Sequence, residues 1–378
     1  MSGASPPAIA KPPRGSAELA ADPQWRAVAG APSACVAIAS RPEVLPPFEV
    51  APCADEPRCR ELVLGAAEVL ASHPEGPRVV VRRVVDGYAE TLVVDEAGAI
   101  VAALRGKLGD PSCLVGRVGL APSRLLHAAT YLAGDEVGSP VVVEVGLDTP
   151  SEARVIFDGA GHGVAEIFDA IVASDAVVGL EVADGAIWRL DGEGPRLVGG
   201  PSRGEGRARI DAVVGRALYY STGSSRGPMT LRVDAGEGPR DVLPPQRFDQ
   251  ANLRLDGEQL VWQRLVGRLH DHRWRATTLE TASSSELDRP RTLLRLDGPA
   301  VSNPRLLLGG GWLLLADPAS GAVDLRDARS GDRLRRLEPD DERQVFLEAS
   351  YAAPGEIGLA WRARRGSRRG AAFRWYGR

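Results

Sequence analysis

Lysine is nearly absent from this chain. Only Lys11 and Lys107 occur, so arginine carries almost all of the positive charge, and base-composition bias of the source genome explains that before any protein chemistry does. No uninterrupted apolar run approaches the ~18 residues that a membrane-spanning helix requires. Residues 1–16, rich in Pro, Ala and Gly, lack the apolar stretch of a signal peptide and read as the start of a flexible tail. No paired CxxC knuckle is present, and His73 is the only histidine near the cysteines, which argues against a structural zinc site. The net charge of −4 gives the chain as a whole no pull on nucleic acid. Glycine and proline are plentiful, at 43 and 29 residues, and supply the chemistry of many tight turns. A hydrophobic fraction of 44% suits a globular chain and not a disordered one.

The four cysteines, Cys35, Cys53, Cys59 and Cys113, all fall in the first third. Cys53 and Cys59 flank a short polar stretch that a disulfide would close into a loop. Cys35 and Cys113 would then join the N-terminal segment to the first repeat. Four cysteines allow three pairings, and spacing does not choose among them; four free thiols are the alternative. An even count gathered in one segment points to an oxidising compartment, the periplasm or the cell surface, with the cytoplasm as the alternative.

A repeat runs through residues 79–363. Each unit holds an apolar strand, a tight turn and a second strand, with turns near Gly87, Gly134, Ser174, Gly215, Gly257, Gly310 and Gly355. The turns are 47, 40, 41, 42, 53 and 45 residues apart. In the clearest pair, 209–215 leads to 217–220 and 251–257 leads to 259–262. Period-two alternation that reverses at Gly or Asp is the hairpin signal. A third strand follows, as at 99–105, 186–190, 229–233, 274–279, 322–326 and 371–376. A fourth closes several units, as at 195–198, 239–243, 291–296 and 333–337. Four antiparallel strands repeating every 40–50 residues predict an all-β fold, a seven-bladed β-propeller. A β-sandwich, or two small β-domains, is the alternative.

The last unit ends after its third strand. A ring left open there would expose a long unpaired edge. The N-terminal region is therefore expected to supply the closing strand, from 34–39 or 61–65. The expected organisation is a flexible tail over 1–24, a short irregular Cys-containing segment over 25–78 that supplies this strand, and a propeller over 79–378.

The stretch Leu255-Asp256-Gly257-Glu258-Gln259-Leu260-Val261-Trp262 resembles the recurring hairpin of TolB-like propellers. Asp324-Leu-Arg-Asp-Ala-Arg-Ser-Gly-Asp332 resembles the Asp-x-x-Ser/Thr-Gly turn of bacterial propeller repeats. The resemblance, over about 79–378, is to the broad WD40-like and TolB-like bacterial propellers. No Trp-Asp dipeptide, sialidase Asp-box or repeated double glycine accompanies it. It implies a fold, and a fold alone carries no function.

Several motifs bear on chemistry. Gly200-Pro-Ser202-Arg-Gly204 and Gly223-Ser-Ser225-Arg-Gly227 match G-x-S-x-G, but a nucleophile elbow needs a helix to follow, and strands follow here. No catalytic residue is assigned. His270-Asp271-His272 puts two imidazoles on one face of an extended segment, with no third ligand in view; a solvated hairpin tip is the plainer account. The glycine-rich run 158–163 is followed by a strand and not by the helix that a phosphate loop opens, so it reads as an inter-blade loop displaying His162. The run 362–369, with Arg364 and Arg365, is a basic hairpin tip lacking the interleaved aromatics of a base-stacking surface. Trp188, Trp262, Trp312 and Trp361 read as packing between blades.

These residues favour a non-catalytic scaffold, probing a protein or polymer partner with its loops, monomeric, with nucleic acid disfavoured and no cofactor argued for by any residue set. The rival is a hydrolase or lyase with its site at the central channel. It requires convergence of groups such as Asp175, Asp256, His162 and His270 on one funnel.

Overall fold

The computed structural model describes residues 23–31, 36–54, 56–73, 76–109, 112–133, 135–223, 230–243, 250–268, 273–283, 286, 289–297, 305–317 and 320–377. The strands among them form seven antiparallel sheets, the blades of a propeller. Blades three to six each use four strands in chain order, as in Phe168–Ala173, Val178–Val182, Ile187–Asp191 and Gly194–Gly199 of blade three. Second strands sit between two neighbouring blades, so Val178–Val182 and Trp312–Ala316 are buried along their whole length and read as unbroken apolar runs. The innermost strand of blade four alternates instead: Ala208 and Ile210 are buried while Arg207 and Arg209 are exposed. Each pair of neighbouring blades encloses its own apolar cluster, and among the described residues these number seven, so the ring is closed.

Closure uses the N-terminal region, as the missing last strand required. Cys59–Gly65 pairs with Ala371–Gly377, in the register Phe373↔Leu62 and Tyr376↔Cys59. Burying Leu62 and Leu64 there stabilises the seam by about 1.5–3 kcal/mol per side chain. The partner strand Ala371–Gly377 begins just after Gly370, where a Cβ would lie 1.8 Å from the carbonyl oxygen of Gly65, so only glycine fits. The other candidate segment has a different place: Val36–Ala39 lies outside the fourth strand of blade one, with Trp25–Ala27 beyond it. Cys53 is disulfide-bonded to Cys59 and ties the strand Glu49–Pro52 to the closing strand. Cys113 is also disulfide-bonded, and Cys35 lies outside the described residues.

Two turns differ from the sequence reading. Asp86 and Gly87, at φ 49° and 79°, join the second and third strands of blade one, because Glu68–Ser72 is its innermost strand. The first hairpin of blade two turns at Pro122–Ser123, and Gly134 lies outside the described residues.

Strand alternation gives the ring two faces. The turns between first and second strands, and between third and fourth, lie on what we term the turn face. The connections between second and third strands, and between blades, lie on the loop face. On the turn face, neighbouring first turns are stapled together. The amide and hydroxyl of Ser123 donate to Asp175 Oδ1 at 2.9 and 2.7 Å. The Ser174 hydroxyl donates to the Gly215 carbonyl at 2.6 Å, and the Gly311 amide donates to Asp256 Oδ2 at 2.9 Å.

Candidate functional site

The loop face carries the loops singled out from the sequence. His162 sits in a short 3-10 turn, Ala160–His162, ended by Gly163 at φ 69°, between blades two and three. No helix follows, so the glycine run forms no phosphate cradle. The exposed imidazole stacks on buried Phe157 at 4.9 Å and tilts against Trp188 at 5.2 Å. His162 and half-buried Trp188 thus form an aromatic shelf at the blade seam, while Trp262, Trp312 and Trp361 are buried between blades.

The basic hairpin tip of blade seven lies on the same face, between the strands Glu356–Ala363 and Ala371–Gly377. Arg364 and Arg365 are exposed. His270 and His272 lie outside the described residues; the strands Gln259–Arg268 and Arg273–Ser283 end on the loop face on either side of them. Of the two G-x-S-x-G serines, Ser202 sits on an exposed 3-10 turn between strands, and Ser225 lies outside the described residues.

Asp175 and Asp256 lie on the opposite face from His162, with their carboxylates committed to the staples described above. The funnel that the enzyme reading requires is therefore not formed by Asp175, Asp256 and His162, and its fourth group, His270, lies outside the described residues. Charge does reach the axis, from residues the sequence reading passed over. Arg207 of blade four pairs with Asp169 of blade three at 3.0 Å, and Arg305 of blade six pairs with Glu348 of blade seven at 3.6 Å. Burial pushes Arg254 of blade five down from the usual arginine range, and Asp211 and Glu348, from blades four and seven, oppose the shift. Burial pushes the Asp211 carboxyl up, against a hydrogen bond from Ser221 and the charges of Arg209 and Arg254. The alternation of Arg207-Ala-Arg-Ile-Asp211 was visible in the sequence, but alternation does not say which side of a strand faces an axis.

Buried His127, in the second strand of blade two, is held down to about 3 by burial and by the charge of Arg82. Among the described residues, no three His, Cys, Asp or Glu side chains cluster to hold a metal. A cleft of about 380 Å³ opens on the turn face between blades five and six, lined by Arg289, Arg291 and Arg329 together with Glu258 and Glu286. Among the described residues, no helix is long and apolar enough to cross a membrane.

No protein-family model matches the chain, and no curated protein matches it. Solved propellers do. The β-propeller domain of Myceliophteria thermophila Cps50 (Swd1) aligns with TM-score 0.53 and 12% identity, over 84% of this chain and 98% of that one. The β-propeller domain of the Trilobed protease from Pyrococcus furiosus aligns with TM-score 0.52 and 9% identity, over 83% and 96%. A prolyl endopeptidase aligns with TM-score 0.54 and 10% identity, over 83% of this chain and 51% of that one. At such identity the likeness is one of fold alone.

Proposed function

We propose that this seven-bladed propeller is a non-catalytic scaffold that engages a protein or polymer partner through its loop face. One observation carries the reading. The loop face displays exposed side chains at separate places, His162 stacked on its aromatic shelf and Arg364 and Arg365 on a hairpin tip whose backbone is held. The acids that a shared reactive centre would need, Asp175 and Asp256, hold turns together on the other face. Rigid display with dispersed chemistry suits recognition over turnover. The Cys53–Cys59 bond supports an oxidising compartment such as the periplasm or the cell surface.

The rival enzyme reading draws on the axial charges Asp211, Arg254 and Glu348, which come from three different blades. Binding of the full chain to peptide and glycan arrays separates the two. The scaffold reading expects binders that His162→Ala or Arg364→Gln/Arg365→Gln weakens and that turn-face substitutions leave unchanged. Hydrolysis or elimination on a substrate panel, abolished by Asp211→Asn, would overturn it in favour of the rival.

A further inference from the structure

The arginines at the blade-seven tip divide into two groups. Arg362 lies over the Phe346 ring, 3.4 Å from its centroid. Arg369 donates to Asp340 Oδ2 at 2.9 Å, and Arg374 donates to Glu61 Oε2 at 2.6 Å. Among the described residues, no hydrogen bond, ion pair or ring contact engages the side chains of Arg364, Arg365 or Arg368. All three are exposed.

The backbone that displays them is tightly held. The Arg364 amide donates to the Glu342 carbonyl at 2.8 Å, and the Ser367 amide closes back on the Arg364 carbonyl at 2.9 Å. Glu342 Oε2 accepts the Ser367 hydroxyl at 3.2 Å and the Arg369 amide at 3.0 Å. Gly366, at φ 83°, makes the reversal between them. The three free guanidinium groups therefore project from a loop whose main chain is already ordered, which lowers the entropy lost when a partner docks.

We propose that this tip docks a carboxylate-rich segment of a partner protein. The proposal rests on the scaffold reading and names the chemistry of its partner. Guanidinium forks match carboxylates two bonds at a time. A long polyanion suits the tip less well. The three free cations form one compact point on a chain of net charge −4, not a stripe, and the rings beside the run, Phe346 and Trp361, are already buried.

The test is fluorescence anisotropy of a labelled octaglutamate peptide with the full chain at low salt. Binding is expected, weakening about tenfold or more on raising salt to the physiological range or beyond, because exposed charges are screened. Arg364→Gln/Arg365→Gln/Arg368→Gln should weaken it about tenfold or more, with the melting temperature unchanged. Arg216→Gln/Arg240→Gln/Arg329→Gln removes equal charge near the turn face and should leave binding within about twofold. Equal losses in both triple variants would mean that only net charge matters, and would overturn the proposal. Tighter, tip-dependent binding of heparin would overturn it in favour of a polyanion. Absence of octaglutamate binding, with array binders still mapping to the loop face, would overturn the proposal and leave the scaffold reading standing.

Discussion

Between the seventh and first blades the seam is built mainly of rings and aliphatic side chains, with buried Arg105 held between the Trp25 and Tyr88 rings at 4.5 Å from each. Tyr351 stacks on Phe373 at 6.1 Å, Phe373 meets Trp375 edge-on at 5.3 Å, and Trp25 and Phe346 are buried in the same cluster. Between the third and fourth blades the apolar cluster is smaller, centred on Ile187, Ile210, Leu218 and Tyr220. Charge occupies the space beside it. Arg189, 0% exposed, donates to Asp191 Oδ2 at 2.7 Å and to the carbonyls of Arg216 and Asp234 at 2.8 and 2.6 Å. Asp234, also 0% exposed, accepts from Arg196 at 3.0 Å and from the Gly236 amide at 2.8 Å.

The difference follows from connectivity. Blades three and four are joined by a short stretch of chain, so their docking closes a small loop. The seventh blade is completed by chain from far away: its closing strand pairs Glu61 with Arg374, 313 positions along the chain. Closing so large a loop costs roughly 3 kcal/mol more in chain entropy than closing one of about ten residues. Broad apolar burial offsets such a cost. Buried ion pairs add little net stability, yet they orient neighbouring turns, which is enough where the chain already supplies proximity.

The closing seam yields most sharply to truncation. Removing residues 1–66 takes away the closing strand and the pair of strands outside blade one, and should abolish cooperative thermal unfolding, since the loss rivals a domain's whole reserve of about 5–15 kcal/mol. Removing only residues 1–22 should leave stability within about 0.5 kcal/mol, because every described strand remains. Calorimetry of both chains decides. If the long truncation melts like the full chain, the closing seam does not hold the ring.

Single substitutions come next. Trp375→Ala should destabilise by about 3–5 kcal/mol through the cavity it leaves. Arg189→Ala should destabilise by a similar ~3–5 kcal/mol, because it takes the guanidinium partner from buried Asp191 and leaves the Arg216 and Asp234 carbonyls without their donor. The two losses have different remedies. Adding Asp191→Asn to Arg189→Met should recover most of the second loss in urea unfolding. Failure to recover it would mean that the charges stabilise the seam in their own right.

Acid should separate the seams further. Burial alone would raise the Asp191 carboxyl, but the Arg189 hydrogen bond, the Glu193 amide and the charges of Arg189 and Arg196 outweigh it and hold it below the usual aspartate range. Its contribution is therefore present above the unfolded value of about 3.9 and is lost as pH falls towards the depressed folded value. Buried His127 acts earlier. Its folded value of about 3 lies below the unfolded value of about 6.5, so the unfolded chain takes up the proton first. Stability should fall by up to about 1.4 kcal/mol per pH unit below ~6.5. Thermal melts at pH 6 and 5 should show that fall, and His127→Phe should remove it. A fall that persists in the variant assigns the acid sensitivity elsewhere.

A further local effect concerns the clip on the closing strand. Replacing Cys53 and Cys59 by serine should destabilise by about 2 kcal/mol, since the bridged loop is short. Loss of cooperative unfolding on this change alone would make the disulfide, and not the apolar seam, the agent of closure.

Legibility followed backbone strain and periodicity. Gly215, Gly257, Gly310 and Gly355 lie at φ 54°, 58°, 57° and 86°, where a side chain is disfavoured, and each joins the first two strands of its blade. Asp86-Gly87 makes an equally good turn, and nothing local says that it joins the second and third strands. The blade-two turn at Pro122–Ser123 uses no glycine and left no comparable mark. Of the candidate site, the exposed loops were legible as polar interruptions. The axial pairs Arg207–Asp169 and Arg305–Glu348 were not, because their partners belong to neighbouring blades.

By itself, then, the sequence determined the number of blades, the strands within most of them, and the need for a strand from the N-terminal region. Those follow from local alternation, turn chemistry and the open edge of the last unit. Tertiary structure alone decided that Cys59–Gly65 closes the ring while Val36–Ala39 goes to the outside of blade one. Both segments are apolar enough to pair, and which edge each meets depends on where the assembled blades bring that edge within reach. The same holds for the acids at the turns. Asp175 and Asp256 resemble reactive groups until the neighbouring blade delivers Ser123 or Gly311 to them, and no local pattern encodes which blade will stand beside which turn.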